Sequence, residues 1–242
     1  WYRWVTFGAL SPVMRTHHGR DVEHNWNWES DAQSTQHLAR WARLHMRLFP
    51  YLDGLARRAA ATGEPMFGPL ALQHPDFDPG WTKTDQYLLG DRIYVAPVIE
   101  KGATTRKVAL PEGTYHALLG GAPVVVGKIP ETQLDAPLTE IVALVRSGTL
   151  LPLLPSDVDT TEPTESVKHL DQASDDRELW LWGGGASTFD EGKGLTYDWR
   201  AWDWTGPIGD STFNGQPASY SSLSTGEIVF EPFSGGGTTL LA

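Results

Sequence analysis

Chemically active side chains are crowded into residues 13–21, whose sequence is VMRTHHGRD. A short apolar run leads into Arg15, His17 and His18, and the Arg20–Asp21 pair follows. Arginine and histidine donate hydrogen bonds to hydroxyl groups and carboxylates, and histidine also binds metal ions. The segment is therefore compatible with a metal site, a catalytic centre or a surface that holds a substrate.

The spacing of the histidines argues against a metal site. Neighbouring residues of a strand point to opposite faces, so His17 and His18 do not easily share one ion. His24 follows in a loop, without the i, i+4 helical spacing of zinc-binding pairs. We expect His18 and His24 to be solvated loop residues, and we expect neither a metal nor a cofactor.

Arg15 and His17 are two residues apart, so on a strand they share one face. In a parallel barrel, the loops that form active sites gather at the carboxyl ends of the strands. A guanidinium and an imidazole at that end would hydrogen-bond sugar hydroxyls or a carboxylate. A structural salt bridge at the mouth of the barrel is the alternative.

The elements around this segment predict βα units. Residues 1–9 are typical of a helix, Ser11-Pro12 is a break, and Val13–His17 is predicted as a strand. A capping-box pattern from Ser30 to Gln33 begins a helix at Ser30 or Asp31. This helix is interrupted at Pro50, ends at Thr62-Gly63 and is followed by a predicted strand, MFGPLAL. Two such units cannot close a sheet, so further strands are required.

From about residue 85 the pattern changes to short strands separated by turn residues, which favours an antiparallel sandwich. The strands lie in DQYLLG, DRIYVAPV, TRKVALP, GTYHAL, APVVVG and EIVALVRSG.

The tail adds the Trp-rich β segments ELWLWGGG and LTYDWRAWDW. Aromatic residues on one face of a sheet are usually core, and stacking on sugar rings is the alternative. The tail tryptophans concerned are Trp180, Trp182, Trp199, Trp202 and Trp204. Similarly, His45 lies in the apolar stripe of its helix and is expected to pack there.

Charge divides the chain. The net charge is −11, yet residues 1–154 carry 15 acidic and 15 basic side chains, whereas residues 155–242 carry 15 acidic and 4 basic. We therefore expect a domain boundary near Pro155, where the run PSDVDTTEPTES begins. An acidic chain does not favour a nucleic-acid partner, and no apolar run approaches the roughly 20 residues of a membrane span.

The absence of cysteine and the first residues of the chain further limit the possible sites and context. Because the chain has no cysteine, disulfides and thiolate metal sites are excluded, and the compartment stays open. The opening WYRWVTFGALSP lacks the features of a signal peptide and is typical of a helix interior. We therefore expect the true N-terminus to lie upstream.

Four stretches carry a family resemblance: RWVTFGALSPVMRTHHG, NWNWESDAQSTQHLARWARLHMRLFPYL, MFGPLALQHP and DQYLLGDRIYVAPVIEKGATTRKVALPEGTY. Together they resemble the C-terminal half of glycoside hydrolase family 31, which comprises retaining α-glycosidases with α-glucosidase, α-xylosidase and sulfoquinovosidase members. The resemblance covers residues 1–154 in unbroken order and is loose beyond them. The NWNWESD stretch is closer to the bacterial branch that includes sulfoquinovosidases.

The resemblance implies an α/β plus all-β fold in three parts. Residues 1–79 would form the last two βα units of a (β/α)8 TIM barrel, with Val13–His17 and about Met66–Leu72 as its strands. Residues 80–154 would form a proximal antiparallel β-sandwich. Residues 155–242 would form an acidic, Trp- and Gly-rich distal β domain.

The resemblance also implies site roles. His17 takes the place of the family histidine that hydrogen-bonds the sugar beside the cleaved bond, and Arg15 orients the loop or a carboxylate. Retaining hydrolysis needs two carboxyl groups about 5 Å apart. In the family these are aspartates on earlier barrel strands, and nothing in the family pattern gives Asp21, Glu23 or Asp31 that role. We expect this chain to have no catalytic residue of its own and to be inactive alone.

Two departures from the family pattern concern the strand-end motif and a sandwich turn. Gly68-Pro69 stands where the family often has an arginine before the proline, which puts that arginine's contact at the barrel mouth in doubt. The Trp-rich turn common in the sandwich is reduced to residues 113–116.

The sequence therefore predicts the C-terminal portion of a bacterial retaining α-glycosidase, secreted or periplasmic, that hydrolyses terminal α-linked sugars. Its partners would be an α-linked saccharide and the N-terminal remainder of the same enzyme. The alternative is a non-catalytic carbohydrate-binding or scaffolding β protein that docks on a partner. A metal-dependent hydrolase using His17, His18 and His24 is a third possibility, and it predicts loss of activity with a chelator.

Overall fold

The fold is seen in a computed structural model, which describes residues 1–17, 20–21, 23–173, 177–182, 186–192, 195–200, 229–232 and 238–241. Helices dominate the first 62 residues, and strands dominate the rest of this described part. None of the helices within it combines the length and the apolar character that crossing a membrane requires.

Four α-helices and two short 3-10 helices are present in the described part of the chain. The α-helices are α1 (Tyr2–Ala9), α2 (Ala32–Arg47), α3 (Phe49–Thr62) and α4 (Pro79–Thr82). The 3-10 helices are Leu70–Leu72 and Leu170–Ala173.

Helices α2 and α3 confirm the predicted helix with its interruption near Pro50, but the cap differs. Asp31 is the N-cap of α2, and its carboxylate accepts a hydrogen bond from Ser34 N at 2.6 Å. Ser30 Oγ instead accepts from Asn27 N, so the predicted Ser30–Gln33 capping box does not form. Gly63 ends α3 at φ 79°, a left-handed conformation that favours glycine.

Sixteen strands are described. They are β1 (Phe67–Gly68), β2 (Tyr87–Leu89), β3 (Ile93–Ala96), β4 (Thr105–Ala109), β5 (Gly113–Ala117), β6 (Val124–Val126), β7 (Glu131–Asp135), β8 (Val142–Arg146), β9 (Leu150–Leu153), β10 (Val158–Thr160), β11 (Lys168–His169), β12 (Glu178–Leu181), β13 (Ala186–Gly192), β14 (Leu195–Arg200), β15 (Val229–Pro232) and β16 (Thr238–Leu241).

The largest sheet has six strands in the order β1-β2-β3-β8-β5-β6, and all of its pairs are antiparallel. A separate antiparallel pair, β4 and β7, faces it across one apolar core. Tyr115 and Leu110 are almost fully buried there, and the rings of Tyr94 and Tyr115 meet edge-on at 5.2 Å. Strand-rich packing of this kind agrees with the antiparallel pattern read from the sequence.

The predicted barrel strands differ from the structure. Residues 13–17 have no regular secondary structure, because no backbone segment in the described part of the chain pairs with them. Within 66–72 only β1 is a strand, and it pairs antiparallel with β2 rather than parallel to a barrel neighbour. Pro69 lacks a donor, and the chain turns after it into the 3-10 helix, where Leu72 N donates to Pro69 O at 3.1 Å.

A second core joins the helices to the sheets. Trp41 of α2, Tyr51 of α3 and Val145 of β8 all contribute to one buried cluster, which extends to Trp180 and Phe189 in the later strands. A four-stranded sheet in the order β15-β16-β12-β9 borders this cluster. Strand β9, which precedes residue 155, therefore pairs with β12, which follows it.

Two arginines connect the later strands to earlier parts of the chain. Arg47, in the last turn of α2, lies over the ring of Trp180 at 5.0 Å, and its Nη2 lies 2.6 Å from Glu178 Oε1. Arg92 donates to Leu150 O at 2.9 Å and lies over the ring of Phe189. The Arg47 contacts fix β12 against α2, and the Arg92 contacts fix β9 and β13 against the turn between β2 and β3.

Candidate functional site

Arg15 and His17 lie in the irregular segment that follows α1. The hydroxyl of Ser11 donates to Gly8 O at 2.8 Å and to Val13 O at 3.0 Å, so the chain bends as it leaves the helix. Both Arg15 and His17 are exposed. The absence of a strand at 13–17 removes the geometric reason for expecting the two side chains on one face, yet the structure brings both to one cavity.

This smaller cavity has a volume of about 430 Å³ and lies between α1, residues 13–17 and the loop before α2. Its walls combine indole rings, side-chain amides and the two cationic candidates. The residues with these groups are Trp1, Trp4, Arg15, His17, Asn25, Trp26, Asn27 and Trp28. Aromatic faces with a few hydrogen-bonding groups are the ordinary composition of a small-molecule site.

The loop that carries the indoles is fixed by the start of α2. Trp26 Nε1 donates to the buried hydroxyl of Ser34 at 2.9 Å, and that hydroxyl also contacts Tyr2 Oη at 3.1 Å. Thr35 Oγ1 donates to Trp28 O at 2.6 Å. The Asp31 cap and these two bonds place the NWNW segment beside Arg15 and His17.

Helix α1, the other wall, is held along its length by side chains of neighbouring elements. His37 Nε2 donates to Tyr2 O, and His45 Nδ1 donates to Ala9 O, both at 3.0 Å. Burial lowers the pKa of each of these histidines. His45 therefore packs against α1, as its position in the apolar stripe predicts.

No ion pair joins Arg15 to a carboxylate in the described part of the chain. For Arg15, the structural salt bridge considered above is therefore absent among those residues. The lining of the smaller cavity also contains no Asp or Glu among the residues that the structure describes. As it stands, the cavity can stack on and hydrogen-bond a ligand, but it does not present two carboxyl groups.

Among the other described residues of the RTHHGRDVEH stretch, Thr16 lines the cavity, whereas Arg20, Asp21, Glu23 and His24 do not. His24 Nδ1 lies 2.7 Å from Asp21 Oδ1, and both side chains are exposed, as expected for a solvated loop. His18 lies outside the described residues. Within the described ranges, no three His, Cys, Asp or Glu side chains form a group that could hold a metal ion.

A larger cavity of about 1000 Å³ lies on the other side of α1, and Trp1, Trp4 and Phe7 line both cavities. Its surface is apolar and open, because Trp4, Trp81 and Ile99 are 74%, 64% and 71% exposed. Gly68 also lines it. At this position the chain thus presents backbone alone.

The tail tryptophans divide into two groups. Trp180 and Trp182 are 6% and 4% exposed, and their rings meet edge-on at 6.1 Å inside the second core. They are packing residues and form no platform for a sugar. The side chain of Trp199, and Trp202 and Trp204 altogether, lie outside what the structure describes.

Sequence reasoning did not assign a role to Trp4, Trp26, Trp28, Asn25 or Asn27. Asn and Trp alternate in residues 25–28, immediately before a helix cap. Two tryptophans within four residues of a loop are unusual unless their rings cover a ligand or another surface. This pattern was the sequence signal that could have indicated a binding role for the loop.

Two domain descriptions match the chain. The family model for the glycosyl hydrolases family 31 TIM-barrel domain matches residues 1–55, and the glycosyl hydrolase family 31 C-terminal domain matches residues 63–151. Among curated proteins, the sulfoquinovosidase of Escherichia coli (strain K12) is 40% identical over 121 residues, which are 50% of this chain and 18% of that protein. The lysosomal alpha-glucosidase of Bos taurus is 29% identical over 174 residues, covering 66% of this chain and 19% of that protein.

Solved structures give the same result. The α-xylosidase of Xanthomonas citri aligns with a TM-score of 0.65 and 25% identity, covering 82% of this chain and 22% of that one. A sulfoquinovosidase from E. rectale in complex with an aza-sugar inhibitor aligns with a TM-score of 0.56 and 28% identity, covering 61% and 22%. The chain thus spans about a fifth of the length of the relatives it matches.

Proposed function

This chain belongs to glycoside hydrolase family 31, and from that premise we propose that it is the C-terminal portion of a retaining α-glycosidase. The complete enzyme would hydrolyse terminal α-linked sugars by double displacement, through a glycosyl-enzyme intermediate. The observation that carries this proposal is the smaller cavity, which Arg15 and His17 line together with four tryptophans. Sugar rings stack on aromatic faces, and their hydroxyls accept hydrogen bonds from cationic donors.

We assign the roles within the cavity from the family resemblance. His17 would hydrogen-bond a hydroxyl of the sugar beside the cleaved bond. Arg15, which has no carboxylate partner in the described part of the chain, would orient the loop or a carboxylate of the complete site. The two reactive carboxyl groups would come from the remainder of the enzyme, since the described lining contains none.

The domain organisation belongs to the same proposal. Residues 1–79 would contribute the closing βα units of a TIM barrel, residues 80–154 a proximal β-sandwich and residues 155–242 a distal β domain. Two antiparallel sheets that share one core support the sandwich. The open apolar surface around Trp4, Phe67 and Trp81 supports a barrel remainder that covers it, because exposed patches of this kind are usually interaction surfaces.

The test uses the full-length enzyme and a panel of α-linked nitrophenyl glycosides that carry glucose, xylose or sulfoquinovose. We expect hydrolysis of at least one, with the α-configuration retained in the first product detected by NMR. His17→Ala is expected to lower kcat/KM about 100-fold, as the loss of a hydrogen bond made to the reacting sugar would. His24→Ala is the matched control, because His24 is exposed and does not line the cavity.

Two outcomes would contradict the proposal. Binding of saccharides without turnover of any of them would favour a non-catalytic carbohydrate-binding protein. Equal kcat/KM for His17→Ala and His24→Ala would remove His17 from the sugar site while leaving the family membership intact.

A further inference from the structure

Arg3, in the first turn of α1, binds four backbone carbonyl groups with one guanidinium. Its Nη1 donates to Pro137 O at 2.7 Å and to Glu140 O at 2.8 Å. Its Nη2 donates to Ala136 O at 2.7 Å and to Ala103 O at 3.0 Å. All four acceptors belong to the strand-rich part of the chain, more than 90 residues away in sequence.

The acceptors lie in two connections that border the same pair of strands. Residues 136–140 link β7 to β8, and Ala103 precedes β4. The two connections are joined to each other, since Ala136 N donates to Thr104 O at 2.7 Å. Arg3 therefore binds a surface that the β4–β7 pair already holds together.

Helix α2 binds the same 136–140 connection. Trp41 Nε1 donates to Thr139 O at 3.2 Å, and the guanidinium of Arg40 pairs with the carboxylate of Glu140. The contacts differ in kind, because Arg40 is half exposed and makes a surface ion pair whereas Arg3 binds carbonyl groups only. Surface ion pairs of the Arg40 type contribute little to fixing an element.

The shape of the side chain accounts for the choice of arginine. A guanidinium is planar and presents its donors on separate nitrogens, so two nitrogens can each serve two carbonyl groups. A lysine ammonium places three donors on one nitrogen and cannot meet the four acceptors together. A lysine at position 3 would keep the positive charge but would not reproduce the four contacts of Arg3.

The residue next to Arg3 is Trp4, which lines both cavities. Arg3 binds α1 to the strand-rich part, and Trp4, Val5, Phe7 and Gly8 of the same helix line the smaller cavity together with Arg15 and His17. A shift of α1 would move this wall with respect to His17.

We propose that Arg3 is a positioning residue for the sugar site: its four carbonyl contacts fix α1 against the strand-rich part and thereby fix the distance between the Trp4 wall and His17. This inference rests on the proposed function, because it takes the ligand of the smaller cavity to be the saccharide.

The test compares Arg3→Lys and Arg3→Ala with Arg40→Ala in the full-length enzyme, on the best glycoside of the panel. A misplaced binding wall weakens ground state and transition state alike, so we expect KM to rise about tenfold in both Arg3 variants with kcat within about twofold of the wild type. Arg40→Ala contacts the same connection and is expected to change KM by less than about twofold. A loss of folded enzyme would instead lower kcat and leave KM unchanged, which would overturn the proposal. Equal KM effects of Arg3→Lys and Arg40→Ala would overturn it as well.

Hydrogen exchange separates this inference from the proposed function. We expect amides of α1 to exchange at least about tenfold faster in Arg3→Lys than in Arg40→Ala, because only the former releases the helix. If the wild-type enzyme neither cleaves nor binds any glycoside, the proposed function is refuted, and the positioning role falls with it. If the wild type is active but α1 exchanges at the same rate in both variants, only the role of Arg3 is refuted.

Discussion

Replacing Arg47 by alanine tests whether the distal strands depend on a buried ionic contact. Arg47 and Glu178 are only 17% and 9% exposed, and their Nη2 and Oε1 atoms are 2.6 Å apart. Glu178 Oε1 also accepts from Trp180 Nε1 at 2.6 Å, and the guanidinium covers the Trp180 ring. Removing the arginine leaves a carboxylate in a site that water reaches poorly, which costs about 3–5 kcal/mol.

The same helix provides a matched control. Arg43 lies one turn earlier in α2 and pairs with Asp159 at 2.9 Å, but its side chain is 60% exposed. An exposed pair of this kind contributes about 0–1 kcal/mol. Urea unfolding of the protein, followed by tryptophan fluorescence, should therefore give a loss several times larger for Arg47→Ala than for Arg43→Ala.

A double variant checks the cause. Arg47→Met combined with Glu178→Gln keeps an acceptor for Trp180 Nε1 and removes both charges, so we expect it to recover most of the stability lost in Arg47→Ala. Equal losses for Arg47→Ala and Arg43→Ala would refute the reasoning, because burial would then have no effect on the contribution of the pair.

Two further predictions concern packing and pH. A Cβ at Gly54 would lie 2.8 Å from Phe189 Cζ, so Gly54→Ala should lower the free energy of unfolding by about 1–3 kcal/mol. Gly127→Ala is the control, because a Cβ at Gly127 would contact nothing within 4 Å. In the same urea titration, Gly127→Ala should leave the free energy of unfolding nearly unchanged. Because burial lowers the pKa of His37 and His45 in the folded state, the unfolded chain binds more protons, and stability should decrease as the pH falls below about 6.5. His45→Gln should reduce that slope in unfolding curves recorded between pH 7 and pH 5, and an unchanged slope would contradict the role of burial.

Local sequence signals predicted the elements whose ends are set by local chemistry. The interruption at Pro50 and the stop at Gly63 are visible in the sequence because each depends on the backbone freedom of one residue. The same applies to the strands from β2 to β6 and to β8, which alternate or run apolar between turn residues.

Strands whose formation depends on pairing with distant segments were harder to predict from the sequence. Strand β7 reads ETQLD, which is mostly polar because the strand is half exposed, and β9 contains Pro152. Residues 13–17 show the reverse case, since an apolar run alone does not make a strand without a neighbour to bond. The smaller cavity likewise depends on Trp26 and Trp28 approaching from a loop, which no spacing rule along the chain describes.

The position of β8 within the six-stranded sheet has a consequence for how the chain folds. Strands β1 to β3 and strands β5 to β6 can each pair locally. Among the strands that the structure describes, β8 alone joins the two groups, through Ile93↔Val145 on one side and His116↔Val145 on the other. During synthesis, the two groups of strands would each keep one unpaired edge strand until residue 146, the last of β8, has left the ribosome. Closure by a late central strand raises the contact order, so we expect slow folding of this sheet.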